Sequence, residues 1–142
     1  MIFWFTGQPG SGKTTLALEL MKRVENPIHI DGDNLREIFK NFDYTPKGRR
    51  LNIENVITIA RFLDHMEYNI IISVVAPFRE LRESLKKTNK VTEIYVHTNR
   101  IRGREHYFSK NYEKPINNYI DMDTTDLSPT ECIQKLLDIL SK

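Results

Sequence analysis

The stretch Gly7-Gln8-Pro9-Gly10-Ser11-Gly12-Lys13-Thr14 constrains the chain more than any other. It fits G-x-x-x-x-G-K-[ST], the pattern of a loop that cradles phosphate. The apolar run Ile2–Phe5 before it reads as a buried strand, and Leu16, Leu18, Leu20, Met21 and Val24 after it read as a helix. That order has a physical reason. Glycines let the backbone curl until successive N–H groups point at one anion, and the helix beginning near Lys13 adds the positive end of its dipole. Gly7, Pro9, Gly10, Ser11, Gly12, Lys13, Thr14 and Thr15 are therefore the candidate ATP-binding residues. Lys13 is placed on the β- and γ-phosphates, and the Thr14 hydroxyl in the shell of a Mg²⁺ ion.

The rest of the chain has to supply a sheet for this loop to sit on. Apolar runs alternate with helical patterns, which predicts βαβ units and a parallel sheet. Strands are expected near 2–6, 27–31, 69–76, 93–97 and 118–122, with helices near 13–24, 33–41, 49–67, 78–88 and 129–140. Asn69–Val75 is the most apolar run and is expected at the centre. Ser128-Pro129-Thr130-Glu131 is a capping box with proline at the first helical position. The stripe Ile133, Leu136, Leu137, Leu140 then reads as core, with Cys132 packed beside it.

Length and charge narrow the class. The 142 residues fit one compact domain, 1–142. A net charge of +2 gives no reason to expect a nucleic-acid polymer or a membrane as partner. One cysteine excludes an internal disulfide and suits a reducing cytoplasm. No apolar run approaches the roughly 18 residues of a membrane span, and the N-terminus lacks the basic region of a signal peptide. His29, His65, His97 and His106 show no metal-ligand spacing.

A second constellation follows the second strand. Ile28-His29-Ile30-Asp31-Gly32-Asp33-Asn34-Leu35-Arg36 puts two carboxylates, one residue apart, where a strand gives way to a helix. Strand ends in open parallel sheets face the ligand crevice, and a kinase acting on a hydroxyl needs an acid there. The run 69–76 ends in Ala76-Pro77 without an aspartate for the metal, which shifts that duty to Asp31 and Asp33. Both are candidate catalytic residues beside Lys13, with Thr14 and Asp31 as candidate metal ligands. Arg36, one turn after Asp33, is placed to meet a second anion. A plain turn with Asp33 as helix cap is the alternative. The nearest stretch to a guanine-reading Asn-Lys-x-Asp is Asn89-Lys90-Val91-Thr92, which lacks the aspartate and argues against a GTPase. Segment 99–117 holds five Lys or Arg against two Glu and little periodicity. It is expected to form a closing lid, with Arg100, Arg102 or Arg104 neutralising charge during transfer.

With these residues in view, the chain resembles the adenylylsulfate kinases over roughly residues 2–98 and 118–140. Asp31-Gly32-Asp33-Asn34-Leu35-Arg36 is similar to the family's D-G-D-N-x-R. Phe42–Arg49 is similar to its G-F-S-x-x-D-R, and Ser73–Arg79 to its S-x-x-S-P-F-R. The resemblance implies a three-layer P-loop NTPase fold, a five-stranded parallel sheet flanked by helices, and ATP-dependent phosphorylation of the 3′-hydroxyl of adenylyl sulfate. It also implies Mg²⁺ as cofactor, small nucleotides as partners, and a homodimer. Carried over by position, Arg36 and Arg49 would hold the substrate's anionic bridge and Tyr44 would stack on its base. Asp33, Asn52, Pro77, Phe78 and Arg79 would complete the acceptor site. For Arg79 and Arg82 the alternative is an exposed helix charge; for Phe78 it is core packing.

Two departures bear on the acceptor. The arginines that follow the family's E-N-I are Glu54 and Asn55 here, and the lid carries Arg102–Phe108 in place of R-D-x-K-x-L-Y. Such positions set substrate choice, so the same chemistry on cytidine diphosphoramidate is a second expectation. A nucleotide-binding module without turnover is a third.

Overall fold

The computed structural model describes residues 1–100, 103 and 110–142. Five strands, β1 (Ile2–Thr6), β2 (Pro27–Asp31), β3 (Asn69–Ser73), β4 (Val91–His97) and β5 (Tyr119–Asp123), make one sheet. Its order is β2-β3-β1-β4-β5, and every pairing is parallel. The helices are α1 (Lys13–Met21), α2 (Gly32–Phe39), α3 (Pro46–His65), α4 (Arg79–Thr88) and α5 (Pro129–Leu140).

Alternation along β1 explains the layering. Ile2 and Trp4 face one side and join Ile70 and Ile72 of β3 against Ile53, Val56 and Ile57 of α3 and Leu81 and Leu85 of α4. Phe3 and Phe5 face the other side, with Ile71, Ile94 and Met122, against Leu16 and Leu20 of α1 and Cys132, Ile133 and Leu136 of α5. All five β1 residues are buried, as a strand covered on both faces requires. The middle place belongs to β1; β3, expected there, lies one step away between β2 and β1. An unbroken apolar run signals burial on two faces, and β1 and β3 carry that signal equally.

The element ends report local chemistry. Strand β3 stops at Ser73, three residues short of the expected end. Helix α3 begins at Pro46, three residues early, because Thr45 accepts from Gly48 N and proline suits the first position. Helix α2 is capped by Asp31, whose side chain accepts from Asp33 N, so Asp33 is inside the helix. The Ser128–Glu131 capping box forms as expected, with both reciprocal bonds. Among the described residues no helix is long and apolar enough to cross a membrane.

From β1 the chain builds β2 and β3 on one side and β4 and β5 on the other. Loops therefore diverge from the carboxyl end of β1 and leave a crevice there.

Candidate active site

The phosphate loop leaves β1 at its carboxyl end. Its three glycines take positive φ, 154° at Gly7, 82° at Gly10 and 106° at Gly12. Gly7 has no room for a side chain: a Cβ there would lie 2.1 Å from the Val96 carbonyl oxygen. Ser11 N bonds Gln8 O at 3.2 Å and Leu16 N bonds Gly12 O at 3.0 Å, closing the curl onto α1. From the sheet side, Thr124 Oγ1 donates to Ser11 O at 2.9 Å. Lys13 is buried and reaches back across the loop to Gln8 O at 2.9 Å, while Thr14 and Thr15 are exposed.

This loop forms one wall of a cleft of about 1030 Å³, through Pro9, Gly10, Gly12, Lys13, Thr14 and Thr15. Asp31, Asp33 and Arg36 line it beside the loop. Tyr44, Arg49, Asn52 and residues 73–77 also line it. Single-ligand pockets run to roughly 1,000 Å³, so the cleft lies at the large end of that range.

The 41–45 turn is held from below by Arg36, which is 7% exposed. Its Nη1 donates to Asn41 O and Asp43 O, each at 3.0 Å, and its guanidinium carbon sits 4.1 Å from the Tyr44 ring centroid. Burial lowers the Arg36 pKa, the nearby Tyr44 raises it, and Arg49 adds to the lowering. Asn41 Nδ2 donates to Gly48 O at 2.9 Å and Thr45 N to Asp43 Oδ1 at 2.9 Å. The bonds from Thr45 hold the Asp43 carboxyl below its ordinary range. Arg49 Nε donates to Tyr44 O at 2.8 Å. One ring face of Tyr44 is thus occupied by Arg36, and the residue remains 58% exposed. Asn52 is buried, and among the described residues its Oδ1 has no hydrogen-bond partner. A buried acceptor in a cleft wall is costly unless a ligand satisfies it.

Not every expected residue meets the cleft. Gly7 and Ser11 belong to the loop without lining the cleft. Phe78 packs against the α3–α4 core, with the Arg50 guanidinium 5.8 Å from its ring. Arg79 turns to the carboxyl-terminal part of the expected lid segment, donating from Nε to Lys114 O at 2.8 Å. Of the lid arginines, Arg100 donates to Thr125 O at 2.5 Å; Arg102 and Arg104 lie outside the described residues. Sequence reasoning left out Glu37, Phe42 and Val74, which also line the cleft. Glu37 follows Asp33 by one helical turn, a spacing that was there to read. Val74 looked like core, which it also is.

Fold and loop together define a phosphate-loop kinase. Residues 1–124 match the family model described as adenylylsulphate kinase, and the chain belongs to that family. A probable adenylyl-sulfate kinase of Pyrococcus abyssi is 28% identical, covering 90% of this chain and 87% of the relative. The cytidine diphosphoramidate kinase of Campylobacter jejuni is 30% identical, over 86% and 77%. Among solved structures, the Mycobacterium tuberculosis APS kinase CysC in complex with AMPPNP and APS superposes with a TM-score of 0.82. That match spans 99% of this chain and 97% of the other at 22% identity, a likeness of fold.

Proposed function

We propose that this protein transfers the γ-phosphate of ATP to the 3′-hydroxyl of a nucleotide, with adenylyl sulfate as the acceptor. The observation that carries the reading is the shared cleft. The phosphate loop, the Asp31–Asp33 pair and the Tyr44–Arg49–Asn52 wall all open onto one space. In-line transfer needs donor, acid and acceptor to converge in this way.

In this reading the amides of residues 10–15 and Lys13 hold the triphosphate. Thr14 and Asp31 are the residues that would hold Mg²⁺, which supplies positive charge to the phosphate oxygens when bound. Among the described residues no group of three His, Cys, Asp or Glu could hold a metal. That suits an ion keeping waters and phosphate oxygens in its shell. Asp31 is fixed by its cap bond to Asp33 N at 3.3 Å. Asp33, exposed on the first turn of α2, orients the attacking hydroxyl and takes its proton. Tyr44 offers its open face to the acceptor base, and Arg49 its guanidinium to the acceptor's anionic bridge.

Cytidine diphosphoramidate is the second reading, favoured by the Campylobacter relative and by Glu54 and Asn55 at the departing positions. An ADP-release assay with MgATP and a panel of adenylyl sulfate, AMP, cytidine diphosphoramidate and CMP decides between them. Adenylyl sulfate is expected to give the highest kcat/KM. Preference for the cytidine compound transfers the assignment to it, and silence with every acceptor contradicts the kinase reading. A cytoplasmic homodimer fits the same reading; light scattering at the monomer mass of 16.8 kDa would exclude the dimer.

A further inference from the structure

The cleft wall formed by Val75, Ala76 and Pro77 is irregular backbone, and Ala76 sits at φ 47° without being glycine. Such a conformation persists only where its surroundings impose it. Each of the three carbonyls is gripped from behind, by a different donor. Thr6, the last residue of β1 and the one before Gly7, is fully buried and donates from Oγ1 to Val75 O at 2.8 Å. Arg82 of α4, also fully buried, donates from Nη1 to Ala76 O. Glu113 N donates to Pro77 O at 3.0 Å.

The three grips are joined through Tyr112. Its Oη lies 2.7 Å from Thr6 Oγ1. A threonine hydroxyl has one proton, and Thr6 gives it to Val75, so Tyr112 is the donor. Burial pushes the Tyr112 phenol up to about 12, so it keeps that proton through the neutral range. The ring stacks on Tyr95 at 6.1 Å and lies under the Arg82 guanidinium at 5.5 Å. Arg82 also donates from Nε to Glu93 Oε2 at 2.7 Å and from Nη2 to Glu113 O at 2.5 Å.

We propose that Thr6, Arg82 and Tyr112 are positioning residues for phosphoryl transfer, locking the 75–77 wall in register with the phosphate loop. The chain Tyr112 Oη–H to Thr6 Oγ1–H to Val75 O passes through Thr6, the residue before Gly7, and ends on the 75–77 wall. It therefore fixes the acceptor wall relative to the start of the donor loop, and a small error in such a distance costs rate steeply. This rests on the kinase reading above.

The test uses Thr6→Val, Tyr112→Phe and the double variant, assayed by ADP release with the acceptor that the wild type accepts. Each single change removes hydroxyl bonding at nearly constant shape. Both are expected to lower kcat/KM for the acceptor about tenfold, with KM for ATP within twofold of wild type. Because Tyr112 acts through Thr6, the double variant loses no more than Thr6→Val alone. Active enzyme is counted by stoichiometric binding of a non-hydrolysable ATP analogue, so that loss of folded protein is divided out. Unchanged acceptor kinetics per active site, or a rise in KM for ATP matching the loss for the acceptor, overturns the inference while leaving the kinase reading intact. A wild type that releases no ADP with any acceptor sinks both.

Discussion

At the scale of single residues the account rests on backbone curvature and a few side-chain oxygens. Lys13→Ala is expected to abolish measurable ATP binding by calorimetry; retained affinity would remove the phosphate loop from the argument. Gly7→Ala forces a Cβ against the Val96 carbonyl and is expected to lower ATP affinity at least tenfold. Asp33→Asn is expected to reduce kcat by roughly 10²–10⁴ with KM for ATP unchanged, the range for loss of a general base. Tyr112 gives a stability prediction. Its phenol titrates near 10 in the unfolded chain and at about 12 in the fold, so folding favours the protonated form. That contribution is fully present below pH 10 and is lost as pH rises through 12, to the extent of roughly 2–3 kcal/mol. Urea unfolding of wild type and Tyr112→Phe at pH 9 and above 11 checks it: the phenylalanine variant is expected to lack this alkaline loss. The curl of the loop glycines and the place of Asp31 and Asp33 beside the loop were visible in the sequence because motif and spacing carry them. The structural duty of Arg36 was not. Its carbonyl partners at 41 and 43 exist only once the turn has formed.

At the scale of elements, helix α3 and its preceding turn present Tyr44 and Arg49. Gly48 is the contact on which this depends, since a Cβ there would meet Asp43 O at 2.1 Å. Gly48→Ala is expected to cost about 1–3 kcal/mol by overpacking and to raise KM for the acceptor more than KM for ATP. Equal kinetics in variant and wild type would detach the 41–45 turn from acceptor binding. The elements themselves were largely legible. Strands β1 and β3 announce themselves as apolar runs, β5 only by alternation of Ile120 and Met122 with polar neighbours, and α5 by its Ser128–Glu131 box. The start of α3 was missed although Thr45-Pro46 is a cap signal, because apolar periodicity begins only later in the helix. Phe78 was the harder case. A side chain at a strand-to-helix junction faces cleft or core by a single turn of backbone, and here it joins the core.

At the scale of the whole molecule, two faces of apolar packing carry the sheet while a buried polar cluster ties α4 to β4 and to the chain entering β5. Glu93 accepts from Arg82 at 2.7 Å and from Lys86 at 2.9 Å, and Lys86 reaches Asn117 O at 2.9 Å. Removing one member leaves uncompensated buried charge, so Glu93→Ala is expected to destabilise by about 3–5 kcal/mol in urea unfolding. The parallel sheet was legible from the alternation of strand and helix patterns. The place of β1 in its middle was not, because periodicity reports burial and not neighbours. Arg82 was open to reading as an exposed helix charge for the same reason: its partner Glu93 lies on another element. The central claim is that one cleft brings a triphosphate on the phosphate loop face to face with an acceptor hydroxyl aimed by the aspartate pair. A crystal structure with Mg²⁺, a non-hydrolysable ATP analogue and adenylyl sulfate tests it most directly. The account predicts β- and γ-phosphate oxygens on the amides of residues 10–15 and the 3′-hydroxyl within hydrogen-bond reach of Asp33. A triphosphate seated elsewhere, or both aspartates turned from the acceptor, would contradict it.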